Sequence, residues 1–136
     1  MEQAISATTL IRRRESFGQV VVPAKGSVLA SRSIANWDPE PDYFFHWLRD
    51  SAIVMRGVAD LMADSIGAER ARWRRHFEDF VDFSLRLSEL DGAAAADHRA
   101  TTQREFRKFL RPHAEIAALS GDSLLAEPRF NPDGTI

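Results

Sequence analysis

Residues 41–54 read Pro-Asp-Tyr-Phe-Phe-His-Trp-Leu-Arg-Asp-Ser-Ala-Ile-Val. From this stretch onward, apolar side chains recur at steps of three and four residues, which is the period of an amphipathic helix. The side chains that keep this period are Phe44, Leu48, Met55, Val58, Ala59, Met62 and Ile66. The pattern predicts a helix within residues 43–66. Because Trp47, Val54 and Leu61 add a second stripe, we expect an inner helix that is buried on several sides.

The two ends of this first helix carry different signals. Asp42 can cap a start at residue 43, whereas Asp50-Ser51 can cap a later start, and the pattern leaves both open. Gly67 is a typical stop signal, because glycine readily adopts the left-handed conformation that ends helices.

A second helix is predicted over residues 68–90, and Asp91-Gly92 is expected to end it. One face of this segment carries Trp73, Phe77, Phe80, Val81, Ser84 and Leu87. This apolar face is narrower than that of the first helix, which is typical of an outer helix. Two long helices in succession indicate a helical hairpin.

Residues 1–35 are predicted to form an extended lead-in to the helices. Val20–Val22 and Val28–Ala30 are β-branched or apolar runs, and Pro23 and Gly26 lie between them. This arrangement favours two short strands on either side of a turn.

Loops are expected on both sides of the helix pair. Two prolines make residues 36–42 a loop, and residues 91–136 are predicted to be loop-rich with one short helix near 103–119, which Pro112 interrupts. The fold class is therefore all-α. The sequence ends at 131–136 on Asn-Pro-Asp-Gly-Thr-Ile, which is turn chemistry, so we expect an amino-terminal part of a longer protein.

Composition excludes several classes of protein. The 136 residues suffice for one ordinary domain, and 18 basic against 20 acidic residues exclude a strongly basic nucleic-acid binder. The chain has no cysteine, which excludes disulfides, a thiolate nucleophile and cysteine-based metal sites. No apolar run reaches the length of about 18 residues that a membrane span needs. The first positive cluster, Arg12–Arg14, follows the apolar start of the chain. In a secretory signal the positive charge comes before the apolar run. We therefore expect a cytoplasmic protein without a cofactor.

The stretch 41–54 also carries the side chains that point to a ligand. If the helix includes all of it, Tyr43, Trp47 and Asp50 lie on one face at i, i+4 and i+7. Aromatic rings can stack on the apolar face of a sugar while charged groups bind its hydroxyls. Arg49 can bind a further hydroxyl or keep Asp50 ionised. The same residues also fit an aromatic core helix with a surface ion pair.

Two segments resemble the glucoamylase family, glycoside hydrolase family 15. Residues 28–33, Val-Leu-Ala-Ser-Arg-Ser, followed by 41–54, resemble the amino-terminal signature of that family. Residues 127–131, Glu-Pro-Arg-Phe-Asn, are similar to the family's Glu-Pro-Lys-Phe-Asn segment. The resemblance covers about residues 26–66 and 124–136, in the same order as in the family.

The resemblance implies roles for four side chains. In the family, the Trp-x-Arg-Asp element lines the subsite for the non-reducing terminal glucose. Arg49 and Asp50 would therefore hydrogen-bond the outer hydroxyls of this glucose, and Tyr43 and Trp47 would form part of the pocket wall. His46 lies at a position where the family varies, and it receives no role.

The resemblance also implies a fold and a reaction. The family fold is an (α/α)6 barrel of inner and outer helices, of which 43–66 and 68–90 would be one pair. Its site lies at helix amino termini, which favours a start near Asp50. Enzymes of the family release glucose from α-glucan or α-glucoside ends with inversion, using one glutamate as acid and another as base. Both follow the Glu-Pro-Lys-Phe-Asn segment, so we expect substrate-binding residues in this chain and no catalytic ones.

Alternatives remain for the chain as a whole. A truncated, non-catalytic remnant, or a carbohydrate-binding or interaction module, would share the same pocket residues. Helices cut from a barrel would expose apolar faces along Phe44–Ile66, so self-association is expected.

Other clusters carry weaker signals. Arg70, Arg72, Arg74 and Arg75 surround Trp73 and could contact nucleic acid, but their acidic neighbours favour a solvated helix face. The four histidines lack the spacing of metal ligands, so no metal is expected.

Overall fold

The structure is a computed structural model that describes residues 1–33, 43–126 and 129–136. About half of this described part is helical. The α-helices are α1 (Leu48–Asp64), α2 (Gly67–Ser88), α3 (His113–Ala117) and α4 (Gly121–Leu125). The strands are β1 (Arg12–Arg14), β2 (Gln19–Val21), β3 (His46–Trp47) and β4 (Arg129–Phe130). Segments of 3-10 helix lie at Glu2–Ala4, Glu15–Phe17, Gly92–Ala94 and Arg104–Phe109.

Helices α1 and α2 form the predicted hairpin, but α1 is shorter than expected at its start. The helix begins at Leu48, because residues 46–47 are a strand and Trp47 is an extended residue at the helix boundary (φ −94°, ψ 120°). The helix has no side-chain cap. Asp50 is therefore not the cap but a first-turn residue, and the expected 36–42 loop, which includes Asp42, lies outside the described residues.

The turn between the helices differs from the prediction in one respect. Gly67 does not stop α1, which ends at Asp64; instead, Gly67 is the first residue of α2. Its φ of +56° lies in the left-handed region. The reversal of the chain therefore takes only Ser65 and Ile66.

Each of the two long helices contributes one stripe of buried side chains to the core. Helix α1 buries Ser51, Met55 and Val58, which are spaced at i, i+4 and i+7. Helix α2 buries Trp73, Phe83 and Leu87. Within the described residues the first helix is buried along this one stripe, and Ile53 is 67% exposed and Leu61 is also exposed. Burial on several sides, as expected of an inner helix, therefore stays a prediction.

The first thirty residues pack over the hairpin as an extended lead-in. Strands β1 and β2 pair antiparallel, and β2 confirms the strand predicted near Val20–Val22. The second predicted strand, Val28–Ala30, is reduced to two isolated bridges, Ile5 to Val28 and Leu29 to His46. Val28 and Leu29 are nevertheless buried, with Val28 in the α1–α2 core.

The carboxyl-terminal part contains more structure than a loop. Pro112 separates the 3-10 segment Arg104–Phe109 from α3, so the predicted interruption is confirmed. The prediction of a single short helix in residues 91–136 is wrong, because α4 and β4 also form there. Leu124 and Phe130 are buried in one cluster with Phe83 and Leu87 of α2, and this burial stabilises both elements.

Strand β4 pairs antiparallel with β3, so that His46 opposes Phe130 and Trp47 opposes Arg129. This pairing brings the end of the chain to the start of α1. Within residues 1–33, 43–126 and 129–136, no helix combines the length and apolarity that crossing a membrane requires.

Candidate functional site

Two aromatic rings lie side by side at the start of α1. The ring centroids of Tyr43 and Trp47 are 6.3 Å apart, and their planes are inclined by 38°. Tyr43 is 48% exposed and Trp47 is half-buried. The prediction that Tyr43, Trp47 and Asp50 share one helix face is wrong, since Tyr43 and Trp47 precede the helix. The rings meet through an extended backbone instead.

Backbone hydrogen bonds hold this extended segment in place. The Ser31 N–H donates to the Tyr43 carbonyl at 3.1 Å, and the Ala30 N–H donates to the Phe45 carbonyl at the same distance. These bonds divert residues 43–45 from helical geometry, because their carbonyls are occupied by a neighbouring segment.

Arg49 and Asp50 lie in the first turn of α1, and both side chains are exposed. The amino terminus of a helix carries partial positive charge, which stabilises the Asp50 carboxylate there. A carboxylate that faces water at an uncapped helix start can accept hydrogen bonds from ligand hydroxyls. The side chains of Arg49 and Asp50 thus offer donors and an acceptor within one helical turn of Trp47.

Strand β4 adds a cation that sequence reasoning did not assign to the site. The Arg129 guanidinium lies 4.4 Å from the Phe45 ring centroid and 5.7 Å from that of Trp47. Arg14 stacks on the Phe45 ring at 4.1 Å. The available signal was the Glu-Pro-Arg-Phe-Asn segment, which contains Arg129. Its Glu127 and Pro128 lie outside the described residues.

Arg14 is buried and ties the site segment to the end of the chain. Its guanidinium donates to the Asn131 Oδ1 at 2.8 Å and to the Phe44 carbonyl at 3.0 Å. It also donates to the Gln19 Oε1 at 3.3 Å. Since buried charge-assisted hydrogen bonds are stronger than neutral ones, Arg14 fixes the backbone next to Tyr43.

His46 lies beneath the site with its ring fully buried. Its Nδ1 accepts from the Val28 N–H at 3.0 Å and lies 3.3 Å from the Ser51 Oγ. Burial lowers the pKa of His46 to about 4. Its Nε2 and the Nε1 of Trp47 have no hydrogen-bond partner among the residues that the structure describes.

These groups together suit a neutral ligand rich in hydroxyls. Two neighbouring rings provide apolar surface, and exposed charged groups at the helix start provide hydrogen bonds. In the described segments, no group of three or more histidine, aspartate or glutamate side chains is placed to hold a metal ion.

A cavity of about 670 Å³ lies away from this site. Its lining includes Gln19, Glu89, Asp91, His98 and Asp133, and none of the four predicted site residues borders it. Among the described residues, no phenylalanine, tyrosine or tryptophan lines this cavity. The start of α1 is therefore the better candidate for a sugar site, because it combines aromatic rings with charged groups.

The arginine cluster of α2 forms ion pairs on an exposed helix face. Arg74 pairs with Glu78 at 2.7 Å, and Arg72 lies 3.3 Å from Glu2. Trp73 is 6% exposed and packs in the core, so it cannot stack on a base.

Comparison with known families supports the resemblance described from the sequence. A family model described as Glycosyl hydrolases family 15 matches residues 14–119. No curated protein and no solved structure matches the chain. The matched range includes both long helices, Tyr43, Trp47, Arg49 and Asp50.

Proposed function

This chain belongs to glycosyl hydrolases family 15, a family of glycosidases, and on that premise we propose that it supplies part of the glucose-binding pocket of a glucoamylase-type enzyme. The observation that carries this proposal is the pair of neighbouring rings, Tyr43 and Trp47, beside Arg49 and Asp50 at the start of α1. The pocket takes the non-reducing terminal glucose of an α-glucan or α-glucoside.

Each of the four side chains has a role in this proposal. The rings of Tyr43 and Trp47 form part of the pocket wall, and the C–H faces of the sugar lie against them. Arg49 donates hydrogen bonds to outer hydroxyls, and the Asp50 carboxylate accepts them. Charge-assisted hydrogen bonds of this kind are roughly twice as strong as neutral ones, so Asp50 contributes strongly to affinity.

The proposed fold places the hairpin in a larger assembly of helices. Helix α1 serves as an inner helix and α2 as its outer partner in an (α/α)6 barrel. The exposed side chains Ile53 and Leu61 support this arrangement, because further inner helices would cover them.

The proposed reaction is inverting hydrolysis that releases glucose from chain ends. Inversion requires an acid and a base whose carboxyl groups stand roughly 6.5–9.5 Å apart to admit a water. We assign neither role to a residue of this chain, since Asp50 matches a binding residue of the family. The 136 residues are therefore expected to bind sugar without hydrolysing it.

Asp50→Asn is expected to weaken maltose binding by roughly tenfold or more. The reason is that a hydrogen bond to a charged group contributes about 1.5–3 kcal/mol, whereas the amide is neutral and nearly isosteric. Affinity is measured by titrating the chain with maltose and following the Trp47 indole N–H resonance. Asp60→Asn is the matched control, since it makes the same change at an exposed position of the same helix.

Two outcomes would contradict the proposal. One is unchanged maltose affinity in Asp50→Asn, and the other is an equal loss in Asp60→Asn. Glucose release from maltose by the chain, abolished in Asp50→Ala, would show instead that these residues carry out hydrolysis themselves.

Self-association through the uncovered face of α1 is a further part of the proposal. Replacing Ile53 with aspartate is expected to shift the chain toward monomer. Ile53 is 67% exposed on this face, and a charge there would have to be buried when two copies associate. Sedimentation velocity over a concentration series measures the effect. Arg56→Asp, at an exposed and already charged position, is the control. Identical sedimentation of wild type and Ile53→Asp would rule out this face.

A further inference from the structure

The side chain of His46 occupies the interior directly beneath the proposed glucose site. Its relative exposure is 0%, and it immediately precedes Trp47 in the chain. The sequence assigns it no role, because the family that the chain resembles varies at this position. Its contacts, however, reach both sides of the segment that carries Trp47, Arg49 and Asp50.

One ring nitrogen makes both polar contacts of this histidine. The Val28 N–H lies 3.0 Å from Nδ1, and a backbone N–H can only donate. Nδ1 is therefore the acceptor, and the neutral ring carries its proton on Nε2. The Ser51 Oγ lies 3.3 Å from the same nitrogen, so the Ser51 hydroxyl donates to it as well.

These two bonds join elements on either side of the site. Val28 belongs to the extended lead-in, and Ser51 lies in the first turn of α1, one residue after Asp50. The chain from His46 to Ser51 is therefore closed into a loop by the imidazole. Trp47, Arg49 and Asp50 all lie within that loop.

Apolar contacts fix the ring in this position. The centroids of His46 and Phe83 are 4.9 Å apart in a T-shaped arrangement, and Phe80 lies at 6.1 Å. The backbone of His46 bridges to Leu29 and pairs with Phe130 of β4. The ring is thus held against α2 while its Nδ1 faces the lead-in and α1.

We infer that His46 is a positioning residue of the sugar site, whose Nδ1 holds the Trp47–Asp50 segment in its binding geometry. This inference rests on the proposed function, because it states what orients the side chains that bind glucose there. His46 itself is buried and does not touch the sugar. Its effect on binding passes through the placement of Trp47 and Asp50.

The unequal use of the two ring nitrogens makes the inference testable. Nε2 has no hydrogen-bond partner among the described residues, so Nδ1 provides the polar link. His46→Asn keeps an acceptor oxygen close to the position of Nδ1 but loses part of the ring volume. His46→Phe keeps the ring volume and loses the acceptor. The two variants therefore separate positioning by the hydrogen bonds from simple filling of space.

The experiment measures maltose affinity and the Trp47 indole N–H resonance at pH 7 in the full chain and both variants. We expect His46→Asn to bind within about twofold of wild type, and His46→Phe to bind at least tenfold more weakly, since small misplacements of binding groups have effects of this size. The indole resonance should shift in His46→Phe and stay in place in His46→Asn. The α2 resonances report whether each variant is folded.

The opposite pattern, with His46→Phe binding normally, would overturn the inference, as would equal behaviour of the two folded variants. If wild type does not bind maltose at all, the proposed function fails, whereas the indole resonance still reports on His46 without sugar. An unfolded His46→Phe is replaced by Ser51→Ala, which removes one of the two hydrogen bonds. Its indole resonance should shift in the same direction, and an unchanged resonance overturns the inference.

Discussion

Alanine in place of Gly26 is expected to lower the free energy of unfolding by about 3 kcal/mol. Gly26 has a φ of +87°, where a side chain costs about 1–2 kcal/mol. A Cβ at this position would also collide with the Asp79 carbonyl and with the Phe83 Cβ. Because these atoms belong to the backbone and the first side-chain carbon of α2, the lead-in must move away from α2. Overpacking of this kind adds about 1–3 kcal/mol.

Urea unfolding of wild type, Gly26→Ala and Gly67→Ala measures this effect. Gly67 is a matched control, because its φ is also positive but a Cβ added there would meet no described atom within 4 Å outside its own stretch of helix. We expect Gly67→Ala to lose only about 1 kcal/mol, the cost of the conformation alone. Equal losses at the two positions would show that the approach of Gly26 to α2 does not matter.

Lowering the pH from 7 to 4 is expected to reduce the free energy of unfolding by about 3 kcal/mol because of His46. Burial lowers the pKa of His46 from 6.5 to about 4, so the unfolded chain takes up the proton first. Stability contributed by the neutral ring is complete above pH 6.5, and it is lost as the pH falls from 6.5 toward 4. Each unit of difference between the pKa values of the unfolded and the folded state changes the free energy of unfolding by about 1.4 kcal/mol. Protonation of Nδ1 also removes the acceptor for the Val28 N–H.

The charged groups around this histidine can be separated from it by a difference measurement. Arg49 and Asp50 lie on α1, Asp79 on α2 pairs with Lys25 of the lead-in at 2.8 Å, and Arg129 lies on β4. These groups remain in His46→Asn, so their contribution is common to both proteins and cancels in the difference. The free energy of unfolding of wild type minus that of His46→Asn should therefore decrease by about 3 kcal/mol when the pH is lowered from 7 to 4. A constant difference would mean that the ring does not titrate as buried.

The helical hairpin could be predicted because its signal is local. Spacings of three and four residues specify which faces of α1 and α2 are apolar, and Met55 and Val58 are buried as this spacing requires. The start of α1 could not be predicted in the same way. Residues 43–47 have helical spacing, but hydrogen bonds from residues 30–31 and pairing with β4 hold them extended. A local pattern does not contain those distant partners.

The closeness of Tyr43 and Trp47 could be predicted from the sequence, but the backbone geometry that brings their rings together could not. Tyr43 and Trp47 were expected together because of a helix that does not include them, and their rings meet through the strand geometry instead. Arg129 reaches Trp47 only because β4 pairs with β3. The part played by His46 depends on the Val28 N–H, which no spacing in the sequence connects with it.

Because β3 pairs with β4, the elements of this protein can form only in a certain order during synthesis. The hairpin α1–α2 joins neighbours in the chain, and contacts of this kind form fast. The partner of Trp47 in β4 is some eighty residues further along, so the ribosome delivers it much later. At synthesis rates of about 5–20 residues per second, Arg129 is synthesised several seconds after the hairpin. During that interval a nascent chain has its helices but an incomplete candidate site, and its aromatic segment lacks the strand that pairs with it.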